Sequence, residues 1–200
     1  MLITADHAAD DRHQGSSDRP ALCRRQSGAF RATECAVAER FLLEIGFGRG
    51  EHLLHLGKTT PSAGVLGLEV HLPGLGAAVA DLADGDLENV KVMRGDGRLI
   101  LEDFLEGTLF DEIHVQFPDP WPKTVDYHRR LVQDSFLDLL EARLRPAGEF
   151  HFVTDVENYA AHVHHLVGAR SSWKSIEPKE RVSTMYERKA LEEGREIHEL

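Results

Sequence analysis

The sequence predicts an α/β protein, a doubly wound and mostly parallel sheet with helices on both faces. Short apolar runs alternate with stretches of helical periodicity along most of the chain, the pattern of parallel strands joined by crossover helices. Several of these runs end in a glycine turn or an acidic residue, which puts polar groups at the carboxyl edge of the sheet, where open α/β folds bind ligands. A length of 200 residues suits one domain that buries a core without cross-links.

Residues 1–33 are polar, carry scattered arginines at Arg19, Arg24, Arg25 and Arg31, and read as a partly disordered N-terminal arm. They lack the charged start and apolar core of a secretory signal. The domain proper is expected over residues 34–200. Glu34 to Arg40 reads as weakly helical, and Phe41 to Ile45 as a strand that runs into Gly46-Phe-Gly-Arg-Gly50. Glycines at 46, 48 and 50 let the backbone turn sharply and approach a ligand without a Cβ in the way, and helically spaced leucines follow over Glu51 to Leu56. The G-x-G-x-G spacing, preceded by Glu44 on the strand, departs from the G-x-G-x-x-G dinucleotide fingerprint.

A second strand, Val65 to Val70, carries Glu69 near its end, about twenty residues beyond the glycine turn, where a carboxylate accepts from both hydroxyls of a ribose. Pro73, preset for a first helical turn, opens a helix through Leu82. The third strand, Val90 to Arg94, leads to Asp96, which either caps the next helix or accepts from an adenine amino group. Phe110 to Gln116 alternates as a strand and delivers Phe117-Pro-Asp-Pro-Trp-Pro-Lys123. Its alternating prolines predict that Phe117, Asp119 and Trp121 are extended, with Asp119 on a stiff arm. The plainer alternative for this stretch is a rigid surface turn. Arg129 to Leu144 reads as a helix stopped by Arg145-Pro146-Ala-Gly148. Glu149 to Val153 is the fifth strand, ending in Thr154-Asp155, and Val156 to Val167 the next helix.

Thirty-four acidic residues against 23 basic give a net charge of −11, which argues against a general nucleic-acid coat protein and for a soluble cytoplasmic enzyme. Local basic clusters survive that balance, the arm arginines being one and Lys123, Arg129 and Arg130 another. Cys23 and Cys35 have neither metal-ligand nor C-x-x-C spacing, and no apolar run is long enough to span a bilayer. His162, His164 and His165, like His52 and His55, lack an obvious cysteine or carboxylate partner, so no metal site is expected. The absence of a G-x-S-x-G turn speaks against a serine hydrolase.

Leu43-Glu-Ile-Gly-Phe-Gly-Arg-Gly-Glu51, Gly67-Leu-Glu-Val-His-Leu-Pro-Gly-Leu-Gly76, Phe117 to Lys123, Arg129-Arg-Leu131, Thr154-Asp-Val-Glu-Asn-Tyr-Ala160 and Thr184-Met-Tyr-Glu-Arg188 together resemble, in order, the motifs of the bacterial tRNA (guanine-N7)-methyltransferases. The resemblance implies the seven-stranded sheet of the class I S-adenosylmethionine-dependent methyltransferases, its final antiparallel strand falling within Arg195 to Leu200. It implies S-adenosylmethionine bound by Glu44, Gly46, Gly48, Gly50, Glu69, Asp96 and Asp119, with Asp119 also catalytic. Lys123, Asp155, Thr184 and Glu187 would then meet the guanine-bearing tRNA. No membrane or metal partner is implied, and the chain is expected as a monomer or homodimer. Two departures stand out: Thr124-Val-Asp-Tyr-His128 replaces a strongly basic run, and Met185 stands where a lysine is usual. They leave two alternatives, a methyltransferase of the same fold acting on another RNA or a small molecule, and a non-catalytic partner that keeps the cofactor pocket. Intact Asp119 and Lys123 oppose the latter.

Overall fold

The computed structural model describes residues 2–5, 38–85, 87–105 and 110–200. One mixed sheet organises them. Its parallel centre consists of β2 (Arg40–Ile45), β3 (Ala63–Glu69), β4 (Val90–Arg94), β5 (Phe110–Gln116) and β6 (Leu144–Thr154), and β1 (Leu2–Ala5) and β7 (Trp173–Ile176) extend it. Hydrogen-bonded neighbours run β4-β3-β2-β5-β6-β1-β7, and the short β8 (His198–Glu199) adds to β6. This is the expected doubly wound class, the strand order reversing direction between β2 and β5.

The helices α1 (Glu51–Thr59), α2 (Leu72–Gly85), α3 (Gly97–Asp103), α4 (Asp134–Arg143), α5 (Glu157–Gly168) and α6 (Met185–Glu192) follow their strands. They cover the two faces unequally. On one face Leu43, Ile45, Ile113, Val115, Phe150 and Phe152 pack against α3, α4 and α5 in the larger core. On the other, Leu42, Val65 and Val90 pack against Leu53 and Leu56 of α1 and Ala78 of α2, which shield only the β2-β3-β4 half. Strand alternation places Glu112, His114 and Gln116 of β5 and Glu149 and His151 of β6 on the remaining half of that face, all polar. A sheet buried on both sides ordinarily carries apolar residues there.

Several boundaries depart from the sequence reading. The helix expected from Arg129 starts only at Asp134, because Thr124–Arg129 forms a 3₁₀ turn and Arg130 points inward. The expected stop at 145–148 is a bulge inside β6: Phe110 faces Leu144, yet Glu112 faces Glu149, and Ala147 takes φ 62. Residues 38–40 are not helical, Arg40 already opening β2, and 34–37 lie outside the described residues. The final antiparallel strand is only His198–Glu199, which pairs with Thr154 and Val153. Leu2–Ala5, without any strand signal in the sequence, runs antiparallel to both β6 and β7. Arg19, Arg24, Arg25, Arg31, Cys23 and Cys35 lie outside the described residues.

Candidate functional site

The carboxyl ends of β2 and β5 meet at the reversal of strand order, the point where open sheets leave a crevice. The turn after β2 has φ 75, 59 and 86 at Gly46, Gly48 and Gly50, a left-handed run that side chains resist. A Cβ at Gly46 would meet nothing within 4 Å, so that surface is open to a ligand. A Cβ at Gly74 of α2 would lie 2.3 Å from the Gly48 carbonyl oxygen, so the turn rests directly on that helix. Glu69, buried at the end of β3, binds the turn from the other side. One carboxylate oxygen accepts from Gly48 N at 2.7 Å and the other from the Val70 and His71 amides at 2.7 and 2.8 Å. Glu69 thus stands at the strand end as expected but already shapes the loop, and a ribose hydroxyl would share the oxygen that Gly48 uses.

Glu44, at the end of β2, is buried, and among the described residues its Oε2 has no hydrogen-bond partner, its one close polar contact being His52 Nδ1 at 3.3 Å. A buried carboxylate oxygen left unsatisfied is costly unless a ligand completes it. Such an oxygen suits an ammonium donor, and beside the open glycine turn the donor set fits the amino-acid part of an adenosyl-amino-acid cofactor. Asp96 caps α3, one oxygen accepting from Arg98 and Leu99 N at 2.9 and 3.2 Å, and the residue remains exposed. Both roles weighed for it, cap and ligand, are compatible with that placement.

The proline arm follows β5, whose register continues for one more bond, from Phe117 N to Val153 O. The extended expectation fails at both flanks, since Phe117 has φ 48 and Trp121 φ 42. The bias of a residue before proline toward extended backbone is overridden at both, and the chain turns at these two residues by left-handed steps that cost of order 1–3 kcal/mol each. The arm is held from below by Arg130, which is 2% exposed. Its guanidinium donates to Pro120 O at 2.8 Å and to Asn158 Oδ1 and O at 2.6 and 3.3 Å, between the rings of Tyr127 and Tyr159. The basic cluster therefore divides: Arg130 is a strut, Arg129 stacks 3.3 Å over Trp121, and Lys123 is exposed. Asp119 stands exposed at the arm's middle.

Glu44, Gly46, Phe117 and Thr184 line one cavity with Glu51 and Tyr186, which brings three sequence-separated segments together. Thr184 caps α6 through Glu187 N at 3.4 Å. Glu51 accepts from Met185 N at 2.5 Å and Arg188 at 2.6 Å; burial opposes its charge, but these donors outweigh burial and hold its carboxyl below the usual range. The ring of Tyr186 covers the turn, with Cε2 3.3 Å from a Cβ built at Gly48, and stacks 6.5 Å from Phe117. The cavity has about 20 Å³ of room, little more than one water molecule needs. Asp155 is paired with Arg195, and both oxygens of Glu187 are held by Arg181. Glu51, Tyr186, Arg130, Arg181 and Arg195 were missed as site residues; Glu51, Tyr186 and Arg130 lie within the quoted motifs, whereas nothing local distinguishes Arg181 and Arg195.

A second cavity of about 270 Å³ opens behind Glu44 on the polar half-face, lined by His52, Glu112, His114, His151 and Lys179, with Gln116 common to both cavities. Burial works against the charge on Glu112, yet hydrogen bonds from His114 and Lys179 hold its carboxyl well below the ordinary range. Burial and the neighbouring His151 lower His114 to about 3, against the pull of Glu112.

Residues 38–200 match the family model described as "Putative methyltransferase". The tRNA (guanine-N(7)-)-methyltransferase of Nitrosococcus oceani is 36% identical over 167 residues, covering 82% of this chain and 70% of that one. Its namesake from Nitrosomonas europaea is 33% identical over 165 residues, covering 80% and 74%. Among solved structures, precorrin-6y C5,15-methyltransferase of Geobacter metallireducens superposes with a TM-score of 0.54 at 13% identity, over 68% of this chain and 65% of that one. A SAM dependent methyltransferase from Aquifex aeolicus gives 0.50 at 18%, over 65% and 70%. At these identities the two structures speak for the fold.

Proposed function

The chain belongs to the tRNA (guanine-N(7)-)-methyltransferase family, and from that membership we propose that it transfers a methyl group from S-adenosylmethionine to N7 of a guanine in tRNA. The observation that carries this reading is the convergence of the glycine turn, Phe117 of the proline arm and Thr184 on one cavity, which joins three separated motifs of the family.

S-adenosylmethionine supplies an electrophilic methyl on a sulfonium. Glu44 and Glu69 are the residues that would hold it, the first through its unpartnered oxygen and the second through the glycine turn that it orders. N7 of guanine carries a lone pair in the neutral base, so the chain need not remove a proton. With the cofactor bound, the nitrogen would form the new N–C bond as the S–C bond broke, and positive charge would pass from sulfur to the guanine ring. Asp119 on its braced arm stabilises that developing charge, the role of a preorganised electrostatic group. Asp155, paired with Arg195 through one oxygen, retains the other to accept from N1–H or the exocyclic amine. Glu187, engaged at both oxygens by Arg181, would do the same by sharing one of them. Lys123 and Arg129 are exposed beside the arm, where a phosphate can reach them.

Incubating the protein with unmodified tRNA transcripts and S-adenosylmethionine, then digesting to nucleosides for mass spectrometry, tests the reading. The expected product is 7-methylguanosine. Methylated product of any other kind, or none while the cofactor binds, would overturn it.

A further inference from the structure

We propose that the polar half-face beneath Glu44 binds one divalent transition-metal ion of the zinc class through Glu112 Oε2, His114 Nε2 and His151 Nε2. The inference is independent of the RNA reading. It revises the expectation that the chain holds no metal, which considered only the helix histidines and not the pair brought together by strand register.

Three facts carry it. His114 and His151 are direct partners across the parallel β5–β6 pairing, and their rings stack at 4.3 Å, so their spacing is set by sheet backbone. Glu112 Oε2 lies 3.1 Å from His114 Nε2 and 3.7 Å from His151 Nε2, and the three donor atoms fall within 4.8 Å of one another. Ligands about 2.0–2.1 Å from a tetrahedral ion are separated by about 3.3 Å, so the Glu112 distances already suit an ion, while the rings, 12° from parallel, must tilt for both nitrogens to face it. All three residues are buried and face the 270 Å³ cavity, which leaves space for water to complete the shell. His52, buried with Nδ1 3.3 Å from Glu44 Oε2 and its ring 5.0 Å from that of His114, stands next in line as a further ligand.

Two imidazoles and one carboxylate select zinc, cobalt or nickel over magnesium or calcium. Binding uses the lone pair of each Nε2 in the neutral ring, the proton that these nitrogens now direct at Glu112 and Glu149 moving to Nδ1. Glu112 divides its work, since Arg40 and Lys179 hold Oε1 at 2.5 and 2.9 Å while Oε2 faces the rings. The two cations compete with the ion for negative charge. Lys179, half exposed, also pairs with Glu149 and can withdraw to solvent. The ion would tie β5 to β6 directly behind the floor of the cofactor cavity, as a structural cross-link and not a catalytic centre.

Full-length protein without a polyhistidine tag, stripped with chelator, is titrated with zinc chloride by calorimetry and with cobalt chloride by visible absorption. One ion per chain is expected, with cobalt bands that zinc abolishes. His151→Gln and Glu112→Gln, checked for folding by circular dichroism, should each weaken binding at least about tenfold. Lys179→Met should strengthen it, whereas His164→Ala on α5 should leave it unchanged. Failure of the wild type to bind one equivalent of zinc overturns the proposal outright. Unchanged affinity in both ligand variants overturns it as well, by placing the ion elsewhere.

Discussion

Replacing Arg130 with lysine tests whether the proline arm is a braced platform. The guanidinium makes three hydrogen bonds, to Pro120 O, Asn158 O and Asn158 Oδ1, and packs 3.7 and 4.5 Å from two tyrosine rings. An ammonium keeps the charge but reaches one of these acceptors. Two hydrogen bonds are then lost, at about 0.5–1.5 kcal/mol each because Asn158 is exposed and Pro120 half-buried, and part of the ring contact goes with them. A loss of about 2 kcal/mol follows, and for a domain of this size each kcal/mol is worth about 2–4 °C, so Tm should fall by roughly 6 °C. The second effect is on catalysis. Pro120 directly follows Asp119, and a displacement of about 1 Å at a reacting group costs about a hundredfold in rate. Single-turnover methylation at saturating cofactor, run well below the melting point of the variant, should be slowed by about that factor while cofactor affinity holds. A variant that melts within about 2 °C of wild type refutes the strut itself. One that melts early yet transfers methyl at the wild-type rate separates the strut from the chemistry.

Asp119→Asn should leave Tm unchanged, since the side chain is exposed, and slow the chemical step by two or more decades, from the ~3 kcal/mol that one preorganised contact supplies; equal single-turnover rates would reduce Asp119 to scaffold. Gly74→Ala drives a methyl into the Gly48 carbonyl at 2.3 Å, so it should weaken S-adenosylmethionine binding at least tenfold, read by calorimetry, and unchanged affinity would detach the turn from the ligand. In metal-free buffer, stability should fall with acid. His114, neutral when folded down to about 3, charges in the unfolded chain below its ordinary 6.5, so unfolding takes up a proton across that window. The slope approaches about 1.4 kcal/mol per pH unit. Glu112, depressed when folded, adds to the loss below 4.5. Thermal melts from pH 8 to pH 4 should show a shallower decline in His114→Asn, and parallel curves would exclude this origin.

Most of the parallel core could be read from sequence because each strand announces itself locally. Phe41 to Ile45 is an apolar run that a glycine turn ends, and Asp96 sits where a cap must. Features made by distant partners could not be read. Leu2–Ala5 becomes a strand only through β6 and β7, and Met185–Glu192 is polar on most sides and is positioned by Glu51, 134 residues away from Met185. His114 and His151 each look like a polar residue in a strand; register alone makes them neighbours. Counting Arg130 among surface charges had the same cause, since its acceptors belong to the proline arm and to α5.

The position of α6 has a kinetic consequence. Tyr186 closes over Gly48, and the segment carrying it is fastened to α1 by the Met185 and Arg188 contacts with Glu51. A space of about 20 Å³ does not admit a nucleoside, so seating one beneath Tyr186 would require these contacts to part. Thr184 and Glu187, the residues expected to meet the RNA, lie on the same fastening. Whatever grips them would therefore also act on the contacts that close over the turn, whose parting belongs to the microsecond-to-millisecond class of loop motions.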